Sequence, residues 1–265
     1  MAAPPPLIVR REHGVDYLAL NRPAVRNALD AGVIEALTLW AESAAEDREL
    51  RLAVLGGAGK SFCSGADLTW MSHAVDYGYE RNLHEAWGLA RLFSRLDTLP
   101  IPLVGRLHGA ALAGGVGLAA VCDVAIATED TVFGLTEVKL GVVPSVIAPF
   151  VVAKIGASAA RQLFLTGERF SARRAHELGL VHVVTPPDGL DTAVDRVVAE
   201  LRSAGPRAIA AAKQLIAAVE GRAPADVAKY TVQTIADLWV TPEAQEGMRA
   251  FLDKRRPRWT EDIPE

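Results

Sequence analysis

A chain of 265 residues, half of them hydrophobic, is long enough to bury one large core, or one core with a smaller appendage. Its 28 Lys and Arg stand against 32 Asp and Glu, for a net charge of −4, and the basic run KRRPR at Lys254–Arg258 is short. That balance speaks against nucleic acid as a partner, and no apolar run reaches the length of a membrane span.

The N-terminal MAAPPPLIV lacks the charged and long apolar regions of a signal peptide, so the expected setting is a reducing cytoplasm. LIVRREHGVDYLALNRP predicts a hairpin, two alternating strands meeting at Gly14. ALDAGVIEALTLWAESAAED predicts a helix with Asp30 as N-cap and Ile34, Leu37 and Trp40 at helical spacing. RLAVLGG is a short buried strand, YERNLHEAWGLARLFSRLDTLP an amphipathic helix stopped by Pro100, and IPLVGRLHG and DVAIATED are further strands. This alternation predicts an α/β layer architecture. From Ser145 onward the pattern turns helical, with VHVVTP as the only strand. Residues 1–200 therefore read as an α/β core and 201–265 as a C-terminal helical region, with no linker between them.

Three features invite a chemical reading. GGAGKS, at Gly56–Ser61, fails as a phosphate loop because the pattern requires glycine where Val54 stands. AGGVGLA has glycines at 114, 115 and 117, which is not a dinucleotide fingerprint. SFCSGADL and LAGGVGL each follow a strand and run toward a helix, where unpaired N–H groups accumulate. With the two strands side by side, one N–H from each loop could meet on a single oxygen, as in an oxyanion hole. Alternatively, the glycines only permit close packing of helix on strand. Cys63 and Cys122 suit small buried thiols, and the six histidines show no metal-binding spacing.

SFCSGADLTWM, GAALAGGVGLAAVCDVAIATED, FGLTEVKLGVVPS and FLTGERFSARRAHELGLVHVVTP, in this order, resemble the enoyl-CoA hydratase/isomerase, or crotonase, family. The likeness runs from NRPAVRNAL to FLDKRRPRW. It implies a crotonase-like spiral of ββα units and an acyl-CoA thioester substrate. The substrate's own CoA is the only cofactor implied, with no metal. On matching positions, the oxyanion-hole donors are the amides of Ala66 and Gly114, and the acid/base is Glu137.

Hydratases of this family commonly carry two glutamates. Here the first falls on Gly117. A lone Glu137 suffices for an isomerase, which moves a proton between C2 and C4, whereas hydration must also deprotonate a water. The motif wording nonetheless looks most like methylglutaconyl-CoA hydratases, so hydration of a 2-enoyl-CoA, with a branched or carboxylated acyl part, comes first. Isomerase, decarboxylase and non-catalytic acyl-CoA- or RNA-binding relatives are the alternatives. As simpler roles, Glu137 could pair with Lys139, and Ser145 could cap the following helix rather than position a water near Gly117. Trp70 and Met71 could form a pocket wall, and His73, Tyr77 and His84 fall in a region that often lines the acyl pocket in relatives. Arg26 and Lys254 match positions that hold CoA phosphates, the latter often from a neighbouring subunit, and the resemblance implies a homotrimer or a dimer of trimers.

Overall fold

The computed structural model describes residues 4–260. Residues 1–3, which open the segment weighed above as a leader, and 261–265, the end of the helical C-terminal region, lie outside the described residues. The expected hairpin forms from β1 (Leu7–Glu12) and β2 (Val15–Leu20), paired antiparallel with Glu12 opposite Val15. His13 and Gly14 have φ of 48° and 74°, the left-handed pair that a two-residue turn between twisted strands requires.

Seven further strands follow: β3 (Leu52–Gly57), β4 (Leu103–Leu107), β5 (Ala110–Leu112), β6 (Val124–Thr128), β7 (Val132–Gly134), β8 (Arg169–Ser171) and β9 (Val183–Thr185). They build a six-stranded sheet of order β1-β2-β3-β4-β6-β9, parallel after the hairpin, and a three-stranded sheet of order β5-β7-β8. The helices are α1 (Ala31–Glu46), α2 (Leu68–Asp76), α3 (Tyr79–Asp97), α4 (Gly114–Val121), α5 (Ala148–Thr166), α6 (Ala172–Glu177), α7 (Leu190–Ser203), α8 (Pro206–Val219), α9 (Pro224–Trp239) and α10 (Pro242–Leu252).

Successive residues of a strand point to opposite faces, so one buried strand feeds two cores. Ala53 and Leu55 of β3 face a large core that takes Ile34, Leu37 and Ala41 from α1 and Leu92, Phe93 and Leu96 from α3. Leu52 and Val54 face the other way, onto Leu190, Val194 and Val198 of α7. Asp30 caps α1 as expected, its carboxylate accepting the Val33 N–H at 2.9 Å. Within α5, Gly156 leaves the helical region at φ 74°, which divides the helix.

One expectation is corrected. After Ser145 the structure has two strands, β8 as well as β9. β8 spans three residues between helices, too few for an alternating pattern to show, and it forms only because Phe170 lies opposite Phe133 of β7. β5 and β7 are equally short and equally absent from the sequence reading.

Candidate active site

Strand order places β3 beside β4, and the segments leaving their carboxyl ends meet. Cys63 and Ala111 form a parallel bridge, as do Leu29 and Ala66. Leu29 donates its N–H to Gly65 O at 2.7 Å and accepts from the Asp67 N–H at 2.9 Å. In a parallel ladder those two bonds flank Ala66, whose own N–H therefore points to the opposite edge. Gly114 opens α4, where a backbone N–H has no carbonyl one turn back to bond.

Ala113 delivers the chain to that helix with φ 48° and ψ −115°, a conformation costing a side-chain-bearing residue of order 1–3 kcal/mol. Its N–H donates to Gly134 O at 2.8 Å, which anchors the strained turn on β7. Two of the glycines around it fit the packing reading of the motif. A Cβ on Gly65 would lie 2.8 Å from Ala113 Cβ, and one on Gly115 would lie 2.4 Å from Cys63 O, so these two permit close approach. Gly114 contributes an open amide.

A charged clamp holds the first loop. Arg22 bonds Asp67 at 2.9 Å, Asp30 at 3.1 Å and the Ala28 carbonyl at 2.7 Å. Asp67 is buried and caps α2, its carboxylate accepting the amides of Thr69 and Trp70. Burial pushes its pKa up, but the two amides and Arg22 hold it below the ordinary carboxylate range. Asn27, fully buried, accepts the Arg22 N–H and donates to the carbonyls of Ala58 and Ser61. The NRPAVRN segment thus fixes the loop that carries Ala66.

A cavity of about 180 Å³ opens between these loops, with Ala66, Ala113, Gly114, Glu137 and Ser145 on its lining. Apolar walls come from Leu29, Trp70, Leu89, Val143, Val146 and Ile147. Glu137 starts a short 3₁₀ turn, Glu137–Leu140, closed by Gly141 in the left-handed region. Its Oε2 is buried with no hydrogen-bond partner, and burial raises its pKa above the ordinary carboxylate value. Among the described residues it forms no ion pair with Lys139. A carboxyl kept poorly solvated in a largely apolar cavity suits a general acid/base.

The structure thus brings Ala66, Gly114, Glu137 and Ser145 to one cavity, and Trp70 forms the wall expected of it. Met71, His73, Tyr77 and His84 are not on its lining. Gly117 is not a lining residue either: it packs inward, where a Cβ would lie 2.3 Å from Ile147 Cγ2 and 2.9 Å from Phe93 Cε1. Ser145 does not cap α5, whose N-cap position is Ile147 with no side-chain bond. Arg26 and Lys254 are exposed and also stand outside the lining. The backbone of Arg26 does contribute, accepting the Ser64 N–H at 3.0 Å. Cys63 and Cys122 are buried free thiols whose pKa burial pushes up to about 12, which leaves them inert. Sequence reasoning missed Arg22 and Ile147, since a conventional clamp and a core isoleucine carry no chemical signature in one sequence.

The strand order brings the two loops and the Glu137 carboxyl to one cavity. The profile of the enoyl-CoA hydratase/isomerase family matches residues 10–262. The chain belongs to this family, whose members act on acyl-CoA thioesters. A 2,3-dehydroadipyl-CoA hydratase of Escherichia coli is 34% identical, covering 95% of this chain and 97% of its own. Among solved structures, an enoyl-CoA hydratase from Shewanella pealeana matches at TM-score 0.92 and 37% identity, covering 96% of both chains. AtuE of Pseudomonas aeruginosa matches at TM-score 0.93 and 37% identity, covering 97% of this chain and all of its own. The fold is accordingly the α/β crotonase fold. Among the described residues, no helix is long and apolar enough to cross a membrane.

Proposed function

We propose that the protein is an enoyl-CoA hydratase that adds water across the 2,3-double bond of an enoyl-CoA. The observation that carries this reading is the unpartnered carboxylate oxygen of Glu137 in one cavity with the amides of Ala66 and Gly114. The thioester oxygen accepts from both amides. Glu137 takes a proton from water as its oxygen bonds C3, and the π electrons move onto the thioester oxygen as an enolate. Glu137 then returns the proton to C2, the thioester re-forms and the carboxylate is restored. Donors preorganised for the enolate favour it over the neutral ground state, and losing one donor costs about 2.7–4 kcal/mol.

The acyl part is branched or carries a second carboxylate, as the motif wording suggests. CoA phosphates pair with Arg26 and with Lys254 supplied by a neighbouring copy, in a trimer or a dimer of trimers. A reducing cytoplasm suits the two free buried thiols. The absence of a second carboxylate at Gly117 favours one rival, an isomerase in which Glu137 alone carries a proton between C2 and C4. Incubation with matched 2-enoyl- and 3-enoyl-CoA, plus 3-methylglutaconyl-CoA, followed by chromatography and mass spectrometry, separates the two. Gain of one water supports the hydratase; double-bond migration alone establishes the isomerase.

A further inference from the structure

The cavity has few polar side chains, and each can be accounted for. Trp70 donates its indole N–H to Glu85 at 3.3 Å. On the side where position 117 lies, Ile147 and Phe93 occupy the space a side chain would need, so no second carboxylate faces the substrate. The other two polar side chains on the lining are Glu137, whose buried Oε2 has no hydrogen-bond partner, and Ser145, which is exposed.

Ser145 has no structural use for its hydroxyl. Its N–H donates to Val143 O at 2.8 Å and its carbonyl accepts the Ala148 N–H at 3.3 Å, so the backbone alone fixes the turn. The helix that follows takes no side-chain cap. An ordered water needs two to four polar partners, and Glu137 can be only one of them.

We infer that Ser145 is a positioning residue for hydration, its hydroxyl holding the attacking water against the Glu137 carboxylate. This rests on the hydratase reading. Water hydrogen-bonds Ser145 Oγ and points one proton at Glu137, leaving a lone pair free for C3. That proton passes to Glu137 as the C3–O bond forms, and then to C2. Ser145 keeps its own proton throughout and forms no covalent bond.

The test compares wild type, Ser145→Ala and Ser145→Thr in two reactions. One is hydration of a 2-enoyl-CoA. The other is exchange of the C2 protons of the saturated acyl-CoA in D₂O, which needs the two amides and Glu137 but no added water. The expected result for Ser145→Ala is a fall of about 10²-fold in hydration kcat, with KM and C2 exchange unchanged. Ser145→Thr, which keeps a hydroxyl, recovers part of the loss. Near-wild-type hydration by Ser145→Ala overturns the role, as does equal loss of hydration and exchange, which marks a structural effect. A wild-type protein that hydrates no 2-enoyl-CoA overturns the hydratase reading and this role with it.

Discussion

Gly117 and Ile147 interlock: a Cβ built at position 117 would stand 2.3 Å from Ile147 Cγ2, inside any real van der Waals contact. Ile147 is 3% exposed and belongs to the main core, so the space open to it is the cavity it lines, and retreat there would fill that cavity. The glycine is therefore a packing requirement, and an acid cannot simply be installed there. Gly117→Ala is expected to destabilise by about 1–3 kcal/mol through overpacking. Gly117→Glu is expected to unfold rather than gain hydratase activity. Urea unfolding of Gly117→Ala, Ile147→Ala and the double variant checks this, because relief of the clash appears as coupling between the two sites. Additive effects would sink the explanation.

With Glu137 as the proposed acid/base, Glu137→Gln is expected to fold normally and lose about 10²–10⁴-fold in kcat, with KM little changed. Its raised pKa also has a consequence for stability. Below the ordinary carboxylate value the group is protonated in both folded and unfolded chains, and no penalty applies. As pH rises through the raised folded value, the unfolded chain releases its proton more easily and stability falls. The glutamine variant lacks that decline, so its stability relative to wild type should grow from pH 4 to pH 8. A constant difference across that range would show that the carboxyl is solvated in the folded state.

The two glycine-bearing loops were legible because strand-to-helix turns follow from backbone chemistry. The amides of Ala66 and Gly114, and Glu137, came from the resemblance to the crotonase family, and they do share one cavity. Gly117 could not be interpreted from sequence, since its meaning depends on Ile147, which lies thirty positions later and looks like any core residue. Ser145 presented the same problem: a serine after proline before a helix reads as a cap, and only the observed start of α5 at Ala148 removes that role. The three-residue strands β5, β7 and β8 were illegible because pairing partners, not their own patterns, make them strands.

The Arg22–Asp67 pair ties the Ala66 loop to the start of α2, and its removal should be felt in catalysis before binding. Asp67→Ala deletes the cap on Thr69 and Trp70, a loss of about 0.5–2 kcal/mol, and leaves Arg22 with Asp30 and the Ala28 carbonyl. In the proposed mechanism the Ala66 amide then wanders from the oxyanion. A 1 Å error of this kind can cost about 10²-fold in rate. Steady-state kinetics with a CoA thioester should show kcat falling while KM moves little. Because Asp67 is held below the ordinary carboxylate range, its contribution to stability is present at neutral pH and is lost as pH falls through its folded value. A dominant rise in KM would assign the pair to substrate binding.

The helices after Gly205 leave large apolar side chains in solvent, including Trp239, Val240, Phe251 and Leu252. α8 buries no residue fully, and α9 and α10 bury one each, Val227 and Ala250, so this region gains little from its own core. Covering that surface with other copies would stabilise it at about 25 cal/mol per Å² of apolar area. Light scattering is expected to give three times, or six times, the chain mass of 28.2 kDa. Phe251→Asp combined with Trp239→Asp should release monomers. Lys254 lies three residues beyond Phe251, so if a neighbouring copy supplies it to CoA phosphates, the monomers should also show a raised KM for the CoA thioester. A wild-type monomer at micromolar concentration would remove both the assembly and the cross-subunit role of Lys254.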